Sequence, residues 1–298
     1  MGKLGFIGLG VMGAPMAAHL AAAGHEVSGF DLNAGARAEL EAAGGRAAAD
    51  VADAVAGAEV VITMLPDHPQ VEQVVLAPGG VLDAVAPGTL LADMSTIRPE
   101  TSIAVAEAGA AKGIRVLDAP VSGGQAGAEQ ASLSIMVGGE AADFAAARPV
   151  FEALGRTVVH VGPHGAGQVV KAANQLVVGG IYGLVAEAIV LLEASGVDAG
   201  TGLDVLAGGL AGSRILELKR ESMVAREFRP GFRIDLHHKD MGIALAAARQ
   251  ADVALPLTGL VAQLVAAGRS MGHGSLDHSA LLKVVEELSG RSSQEVSP

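Results

Sequence analysis

The sequence predicts an α/β protein in which a doubly wound, parallel-rich sheet is followed by an all-helical domain, the two joined by a long helix. Three observations carry this prediction. A glycine-rich turn follows the first apolar run, short apolar runs alternate with helical segments up to about residue 163, and only helical patterns remain after Gly165. The first part therefore has the pattern of a sheet covered by helices on both faces.

The glycine-rich turn predicts a dinucleotide site. Gly8, Gly10 and Gly13 lie where the apolar run Leu4–Ile7 meets a predicted helix, Val11–Ala23. The first glycine allows a tight turn, the second lets a pyrophosphate approach the backbone, and the third lets the helix pack closely on the sheet. Because the chain has 41 glycines, the spacing can arise by accident. Its position inside a complete βαβ unit favours the cofactor site of a Rossmann domain.

An acidic residue follows at the position that selects between cofactors. Asp31 lies 18 positions after Gly13, at the end of the predicted strand Glu26–Phe30. Its carboxylate can accept hydrogen bonds from the ribose hydroxyls and would repel a 2′-phosphate, so NAD is favoured over NADP. The next residues are Leu32 and Asn33 rather than arginine. An ordinary cap of the following helix is the alternative role for Asp31.

Further strands are predicted at five short apolar runs, and small or polar residues follow several of them. In an open parallel sheet, the ligand lies beyond the carboxyl ends of the strands. We therefore expect the segments Met64–Pro66, Asp93–Thr96 and Asp118–Gly124 to lie on the cofactor side, although each could be a simple turn. The five predicted strands are Val60–Met64, Thr89–Asp93, Arg115–Asp118, Leu133–Val137 and Val158–Val161.

The chain is long enough for two domains. We predict an NAD-binding domain over residues 1–163, a helical domain over 164–290 that binds substrate and supports oligomerisation, and a disordered tail over 291–298. The first helix of the second domain extends to about Ala194. Its apolar stretch Leu176–Leu192 is short for a membrane span and contains Glu187 and three glycines, so a buried or interface helix is favoured.

Composition excludes several classes of function. There are no cysteines, which rules out disulfides, thiolate catalysis and cysteine-ligated zinc. A net charge of −12 disfavours nucleic acid as a partner. With 50% apolar and 17% charged residues, the chain is expected to be a homodimer or homotetramer, its long helices approaching at Gly179, Gly180 and Gly183. No secretory signal is visible, so a cytoplasmic protein without a membrane partner is expected.

Two groups of residues could carry chemistry. Lys171 lies near the start of the long helix, and Asn174 and Gln175 follow at positions i+3 and i+4 on the same helical face. Ser122 with Gly123 and Gly124 offers a hydroxyl and two unhindered amides, which suit a carboxylate. A solvated surface lysine and a plain glycine turn are the alternatives. No metal is expected at His237 and His238, because adjacent helical residues point to different faces.

Several segments together resemble the β-hydroxyacid dehydrogenases: FIGLGVMGAPMAAHL, ITMLP, DMST, DAPVSGG and GAGQVVKAANQ. The resemblance covers essentially the whole chain before the tail. Four further segments, GGLAGSRILELK, FRPGFRIDLHHKDM, LPLT and GHGSLDHSAL, resemble the tartronate semialdehyde reductase branch of that family. The related 3-hydroxyisobutyrate dehydrogenases commonly carry two asparagines where this chain has Asn174 and Gln175. This departure favours the reductase branch without fixing the substrate.

The resemblance implies NADH-linked reduction of a small carboxylated aldehyde, with Lys171 as the general acid or base. Ser122, Gly123, Gly124, Asn174 and Gln175 would bind the substrate. Tartronate semialdehyde is the first candidate, 3-hydroxyisobutyrate or succinic semialdehyde chemistry the second, and a non-catalytic NAD-binding module the third. The implied cofactor contacts are Gly8, Leu9, Gly10, Val11, Met12, Gly13, Asp31, Leu32, Asn33, Met64, Leu65, Pro66, Thr96 and Lys239.

Overall fold

A computed structural model describes residues 2–291, so the predicted tail lies outside the described residues except for Arg291. Within this range, nine strands form one sheet. Both the parallel-rich sheet and the helical second part are as the sequence predicts. The strands are β1 (Lys3–Ile7), β2 (Glu26–Phe30), β3 (Arg46–Ala47), β4 (Val60–Thr63), β5 (Leu90–Asp93), β6 (Arg115–Asp118), β7 (Val121–Ser122), β8 (Leu133–Gly139) and β9 (Gly155–Gly162).

The strand order places a topological switch next to the glycine-rich turn. The sheet runs β3-β2-β1-β4-β5-β6-β8-β7, with β9 paired to β8. The first six of these strands are parallel, whereas β8 pairs antiparallel with β6 and β7. The chain passes from β1 outward to β2 and β3 on one side, and then crosses back to β4 on the other side of β1. A crevice at the carboxyl ends of β1 and β4 is the ligand position in such sheets.

Fourteen α-helices lie within the described residues. The first eight belong to the sheet-containing part of the chain. The helices are α1 (Gly13–Ala22), α2 (Ala34–Ala42), α3 (Val51–Val55), α4 (His68–Val71), α5 (Val81–Ala84), α6 (Pro99–Ala110), α7 (Gly124–Glu129), α8 (Ala141–Glu152), α9 (Ala166–Ala194), α10 (Ala199–Ala207), α11 (Arg214–Val224), α12 (Ile234–Gln250), α13 (Pro256–Gly268) and α14 (Leu281–Leu288).

Both faces of the sheet are buried, which explains why its strands are nearly continuous apolar runs. Successive residues of β1, β4, β5 and β6 point to opposite faces and enter two separate clusters. On one face Phe6 and Ile62 pack with Met16 of α1 and Phe151 of α8. On the other face Val61 and its neighbours pack against α3, α5 and α6. Helices therefore cover the sheet on both sides.

The chain divides into two compact units between Lys171 and Ala172, inside α9. The sequence places the boundary earlier, after residue 163, where the strand pattern stops. The difference arises because the first turn of α9 is hydrogen-bonded to the first unit: Asp118 accepts from the backbone N–H groups of Gly165 and Gln168. The second unit has its own core, which includes Tyr182 and Met241.

Two short strands, β3 and β7, are missing from the sequence prediction. Each has only two residues, so neither produces a readable alternation of apolar and polar residues. The antiparallel direction of β8 also follows from pairing rather than from pattern. The five later strands, in contrast, coincide closely with the predicted runs.

Helix α9 is the single helix of the described residues that is long and apolar enough to cross a membrane by length and composition. In its most apolar stretch, 44% of the residues are buried. The core helix of a soluble protein satisfies the same criteria. This is consistent with the buried or interface helix that the sequence predicts.

Candidate active site

The glycine-rich turn forms a close-packed loop between β1 and α1. Gly8 has a φ of +96° and donates its N–H to the Phe30 carbonyl at 2.9 Å. A Cβ at Gly13 would collide with the carbonyl oxygen of Gly8, whereas a Cβ at Gly10 would meet no atom within 4 Å. Gly13 is thus required by packing, and Gly10 leaves open space beside the backbone. No side chain caps α1 at Met12, so its first N–H groups suit a phosphate.

Asp31 ties the end of β2 to this loop. Its Oδ2 accepts the Leu9 N–H at 2.8 Å, and its Oδ1 accepts the Asn33 N–H at 2.8 Å. The cap of α2 is Asn33, whose Oδ1 accepts from Gly35 N, so the alternative role of Asp31 as that cap is wrong. Each carboxylate oxygen retains a second lone pair for a ribose hydroxyl. These contacts fit a dinucleotide.

Arg37 is a feature of this edge that the sequence analysis missed. Its Nη1 donates to the Asp31 carbonyl at 2.5 Å, and its guanidinium lies 5.6 Å from the centre of the Phe30 ring. The sequence analysis considered only the two residues that follow Asp31, Leu32 and Asn33. Arg37 lies in the first turn of α2, which brings its guanidinium next to Asp31.

The carboxyl ends of β4 and β5 are joined by a buried hydrogen-bond network. The predicted residues Met64, Leu65 and Pro66 follow β4, and Leu65 N donates to Ser95 Oγ at 2.8 Å. Ser95 Oγ in turn donates to Asp93 Oδ1 at 2.6 Å, and Thr63 Oγ1 donates to the same oxygen at 2.7 Å. This network fixes the two segments that border the switch point.

Burial makes Asp93 an unusual acid. The residue is 3% exposed, and its Oδ2 has no hydrogen-bond partner among the described residues. Desolvation raises the pKa of Asp93 to about 6, with the neighbouring Asp118 contributing in the same direction and its hydroxyl donors opposing it. The carboxyl group is therefore maintained as a charged group at neutral pH at a cost in stability.

Asp118 anchors the start of α9. Its Oδ1 accepts Gly165 N at 2.7 Å and its Oδ2 accepts Gln168 N at 3.1 Å, so a buried carboxylate caps the helix. A side chain at Gly167 would approach Asp118 Oδ2 to 2.7 Å, which explains the glycine there. Burial raises the pKa of Asp118, while the two N–H donors oppose that change.

Gln168 connects α9 to the loop after β5. Its Nε2 donates to the Ser95 carbonyl at 2.9 Å, and its Oε1 accepts from Ile97 N at 3.1 Å. The two bonds span Thr96, a predicted cofactor contact. Lys171, three residues further along the helix, is 6% exposed, so the surface-lysine alternative is wrong.

The predicted carboxylate anchor follows β6. Ser122 ends β7, where it pairs with Ser134 of β8. Gly123 and Gly124 have φ values of +138° and +61°, which favour glycine. A Cβ at Gly124 would meet no atom within 4 Å. The backbone there is accessible, as a site for a small anion requires.

In the second unit, Asn174 and Gln175 form a chain of polar contacts with α12. Asn174 Nδ2 donates to Gln175 Oε1 at 2.8 Å, and Gln175 Nε2 donates to Asp240 Oδ2 at 2.6 Å. Lys239 Nζ lies 3.2 Å from Asp240 Oδ1. Gln175 and Asp240 are 4% and 2% exposed. The predicted residues Asn174, Gln175 and Lys239 are therefore linked through Asp240.

The adjacent histidines of α12, His237 and His238, do not belong to a cluster of potential metal ligands among the described residues. Among residues 2–291 no group of three or more His, Asp or Glu side chains could hold an ion. His237 Nδ1 lies 3.0 Å from His278 Nδ1. Asp277 accepts from Ser279 N and Oγ and caps the turn His278–Ala280.

The sequence analysis assigns no individual role to four residues that organise the site, although two of them lie in segments expected on the cofactor side: Asp93, Asp118, Gln168 and Asp240. Two of them ended apolar strands, where an acid among buried residues was the available signal. For Gln168 and Asp240 the contact partners are more than sixty positions away in the chain. No local pattern reports such a contact.

Two family profiles match the chain. One is described as the NAD binding domain of 6-phosphogluconate dehydrogenase and matches residues 3–162. The other is described as NAD-binding of NADP-dependent 3-hydroxyisobutyrate dehydrogenase and matches residues 165–285. Together with the glycine loop and Asp31, they confirm the predicted nicotinamide cofactor.

Full-length relatives decide the family. The chain is 42% identical to 3-hydroxyisobutyrate dehydrogenase of Pseudomonas aeruginosa, over 95% of this chain and 98% of that protein. It is 40% identical to 2-hydroxy-3-oxopropionate reductase of Escherichia coli strain K12, over 95% and 97%. The chain belongs to the β-hydroxyacid dehydrogenase family. The resemblance recognised in the motifs is confirmed.

A solved β-hydroxyacid dehydrogenase supports the fold as well. The structure of Mycobacterium tuberculosis 3-hydroxyisobutyrate dehydrogenase with L-serine superposes with a TM-score of 0.87 at 36% identity. The match covers 96% of this chain and 99% of that one. This β-hydroxyacid dehydrogenase thus has the NAD(P)-binding fold and helical second part of its family.

Gly10 and Gly13 should respond differently to substitution by alanine. Gly13→Ala overpacks the loop and is expected to lower the free energy of unfolding of the cofactor-free protein by about 1–3 kcal/mol. Gly10→Ala should change that energy by less than about 0.5 kcal/mol and weaken NADH binding, because its Cβ enters the space beside the loop. Denaturant unfolding and calorimetric titration measure the two effects. Equal destabilisation by both substitutions would contradict this assignment.

Asp93 should give the protein a pH-dependent stability. Its folded pKa of about 6 exceeds the ordinary value of 3.8, so the destabilisation is absent below the lower value and complete above the higher one. Relative to wild type, Asp93→Asn should gain about 2–3 kcal/mol of unfolding free energy between pH 4 and pH 7.5. Denaturant unfolding at both pH values tests this.

Asp53→Asn is the matched control. Hydrogen bonding by Arg46 lowers the pKa of Asp53, so the stabilisation by this carboxylate is lost as the pH falls. The difference from wild type should therefore change in the opposite sense. A pH-independent difference for Asp93→Asn would show that its folded pKa is ordinary.

Proposed function

We propose that this enzyme uses NADH to reduce tartronate semialdehyde (2-hydroxy-3-oxopropionate) to D-glycerate, with Lys171 as the general acid and, in reverse, the general base. The observation that carries the proposal is the buried position of Lys171 on α9, one turn before the Asn174–Gln175 pair. A lysine 6% exposed requires a reason beyond solubility, since lysines are almost never fully buried without one.

Lys171 supplies the proton that the reduction needs. Bound NADH supplies the hydride. As negative charge develops on the carbonyl oxygen, the Lys171 ammonium donates a hydrogen bond to it and then a proton. In the oxidative direction the neutral amine accepts the proton from the substrate hydroxyl. The Asp118 cap fixes the first turn of α9, the helix that carries Lys171.

The substrate carboxylate is assigned to Ser122, Gly123 and Gly124. The positive φ values of the two glycines and the open space at Gly124 support an anion held by hydroxyl and backbone N–H groups. Asn174 and Lys239 are assigned to the remainder of the substrate and the cofactor. Gly8 to Gly13, Asp31 to Asn33, Met64 to Pro66 and Thr96 are assigned to the cofactor.

The choice of substrate rests on individual site residues and not on the overall sequence identity to any one relative. A relative named 2-hydroxy-3-oxopropionate reductase and one named 3-hydroxyisobutyrate dehydrogenase are similar to this chain to nearly the same degree, 40% and 42%. The Asn174–Gln175 pair supports the first. Oxidation of 3-hydroxyisobutyrate, or succinic semialdehyde chemistry, is the second candidate. A non-catalytic NAD-binding module is disfavoured by the buried Lys171.

Replacing Lys171 should remove the chemistry and leave cofactor binding intact. Lys171→Ala and Lys171→Arg are both expected to lower kcat by about 100- to 10,000-fold, because alanine has no proton and a guanidinium does not release one. NADH binding, followed by fluorescence, should be unchanged. Lys112→Ala, at an exposed lysine paired with Asp83, is the matched control and should retain wild-type kcat.

The substrate is tested in the same assay. Tartronate semialdehyde, methylmalonate semialdehyde and succinic semialdehyde are compared by kcat/KM for NADH oxidation. A preference for the first supports the proposal. A preference for another semialdehyde would replace the substrate, and no turnover despite NADH binding would favour the binding module.

We also propose that the protein is a cytoplasmic homodimer or homotetramer that forms through α9, with no nucleic-acid or membrane partner. Val177, Leu184 and Leu191 recur every seven residues on this helix and are 54%, 67% and 67% exposed. Gly180 lies between the first two, and a Cβ there would meet no atom within 4 Å. Such a stripe suits a second copy of the same helix. The net charge of −12 favours small-molecule chemistry over nucleic acid.

A charge in this stripe should dissociate the assembly. Leu184→Glu would bury a carboxylate in the proposed contact and is expected to shift the mass measured by multi-angle light scattering toward the monomer at micromolar concentration. Val159→Glu, at an exposed apolar residue of β9, should leave the mass unchanged. A monomeric wild-type protein would refute the oligomer.

A further inference from the structure

Four side chains of the second unit form one line of polar contacts that ends in a charge. Lys239 Nζ lies 3.2 Å from Asp240 Oδ1, Gln175 Nε2 donates to Asp240 Oδ2 at 2.6 Å, and Asn174 Nδ2 donates to Gln175 Oε1 at 2.8 Å. Asp240 and Gln175 are buried, whereas Asn174 is only partly buried. Asn174 is thus the end of the line that reaches accessible space.

The charge of Asp240 decides the orientation of both amides. A carboxylate can only accept hydrogen bonds, so the end of Gln175 that faces it must be the NH₂ group. The carbonyl Oε1 of Gln175 then faces Asn174, which must present its own NH₂ group in return. The orientation of Asn174 therefore follows from a group two side chains away.

We propose that Asp240 is a positioning residue that, through Gln175, directs the carbonyl Oδ1 of Asn174 toward the substrate, where it selects a hydroxyl on the carbon between carboxylate and aldehyde. This inference rests on the proposed function. A substrate with a hydroxyl there donates to Oδ1. A methyl group at the same carbon leaves the carbonyl oxygen without a donor, which is unfavourable in a desolvated site.

Gln175 has the length that this contact requires. An asparagine at position 175, as in the two-asparagine pattern of the 3-hydroxyisobutyrate dehydrogenases, is one methylene shorter. It would withdraw its amide from Asp240 Oδ2, now 2.6 Å from Gln175 Nε2. The proposed relay thus gives Gln175 a physical role that a shorter side chain at this position would not fill.

The experiment compares wild type, Asp240→Asn and Gln175→Leu. The measured quantity is the ratio of kcat/KM for tartronate semialdehyde to that for methylmalonate semialdehyde. Both substitutions are expected to lower this ratio about tenfold, the value of one hydrogen bond, because Asn174 is no longer held in one orientation. A merely structural role would lower both rates equally. Asp235→Asn is the control. Asp235 lies on the same helix as Asp240, and its exposed carboxylate pairs with Arg269. Its replacement should not change the ratio.

Side-chain amide NMR tests the relay independently of turnover. Slow exchange of the Gln175 and Asn174 amide protons in wild type, lost in Asp240→Asn, supports the inference. An unchanged ratio in both variants, or amides that exchange equally fast in wild type and Asp240→Asn, overturns it. If wild type reduces neither aldehyde but the amides lose protection in the variant, the proposed function fails and the orientation of Asn174 stands.

Discussion

The cap of α9 by Asp118 is the interaction on which the rest of the candidate site depends. Both oxygens of one buried carboxylate accept N–H groups of the first turn, from Gly165 and Gln168. This attaches the longest helix to the carboxyl end of β6. The buried Lys171 lies on the next turn of the same helix. Desolvation of Asp118 is only partly offset by its two hydrogen bonds and by the helix dipole, since its pKa is still raised.

A second layer of contacts joins three strand ends to that helix. Gln168 bonds to the backbone on both sides of Thr96, Ser95 bonds to the loop after β4, and Asp93 accepts from Ser95 and Thr63. These buried side chains thus hold the loops of the candidate site in place. The buried Asp93 carboxylate lowers the stability of the folded protein at neutral pH, since burial raises its pKa to about 6.

Both units contain buried acids that fix neighbouring groups through hydrogen bonds, but the groups that they fix differ. In the first, buried acids fix backbone N–H groups and so fix loops. In the second, buried Asp240 fixes side-chain amides and so sets which atoms an amide presents. Family membership follows from the whole chain, whereas the discrimination among closely related hydroxyacids that we propose rests on contacts of this second kind.

The sequence by itself determined the sheet, the glycine-rich turn and the long helix, because each has a local signature in spacing or periodicity. Val60–Thr63 and Ala166–Ala194 lie close to their predicted positions for that reason. The roles of most candidate site residues came instead from the resemblance to the family. The two-residue strands, Arg37 beside Asp31, the Gln168 clamp and the Asp240 relay were decided only by tertiary structure. Each joins groups distant in the chain or too short to form a pattern, and the energy of burying a polar group is defined only when its surroundings are folded.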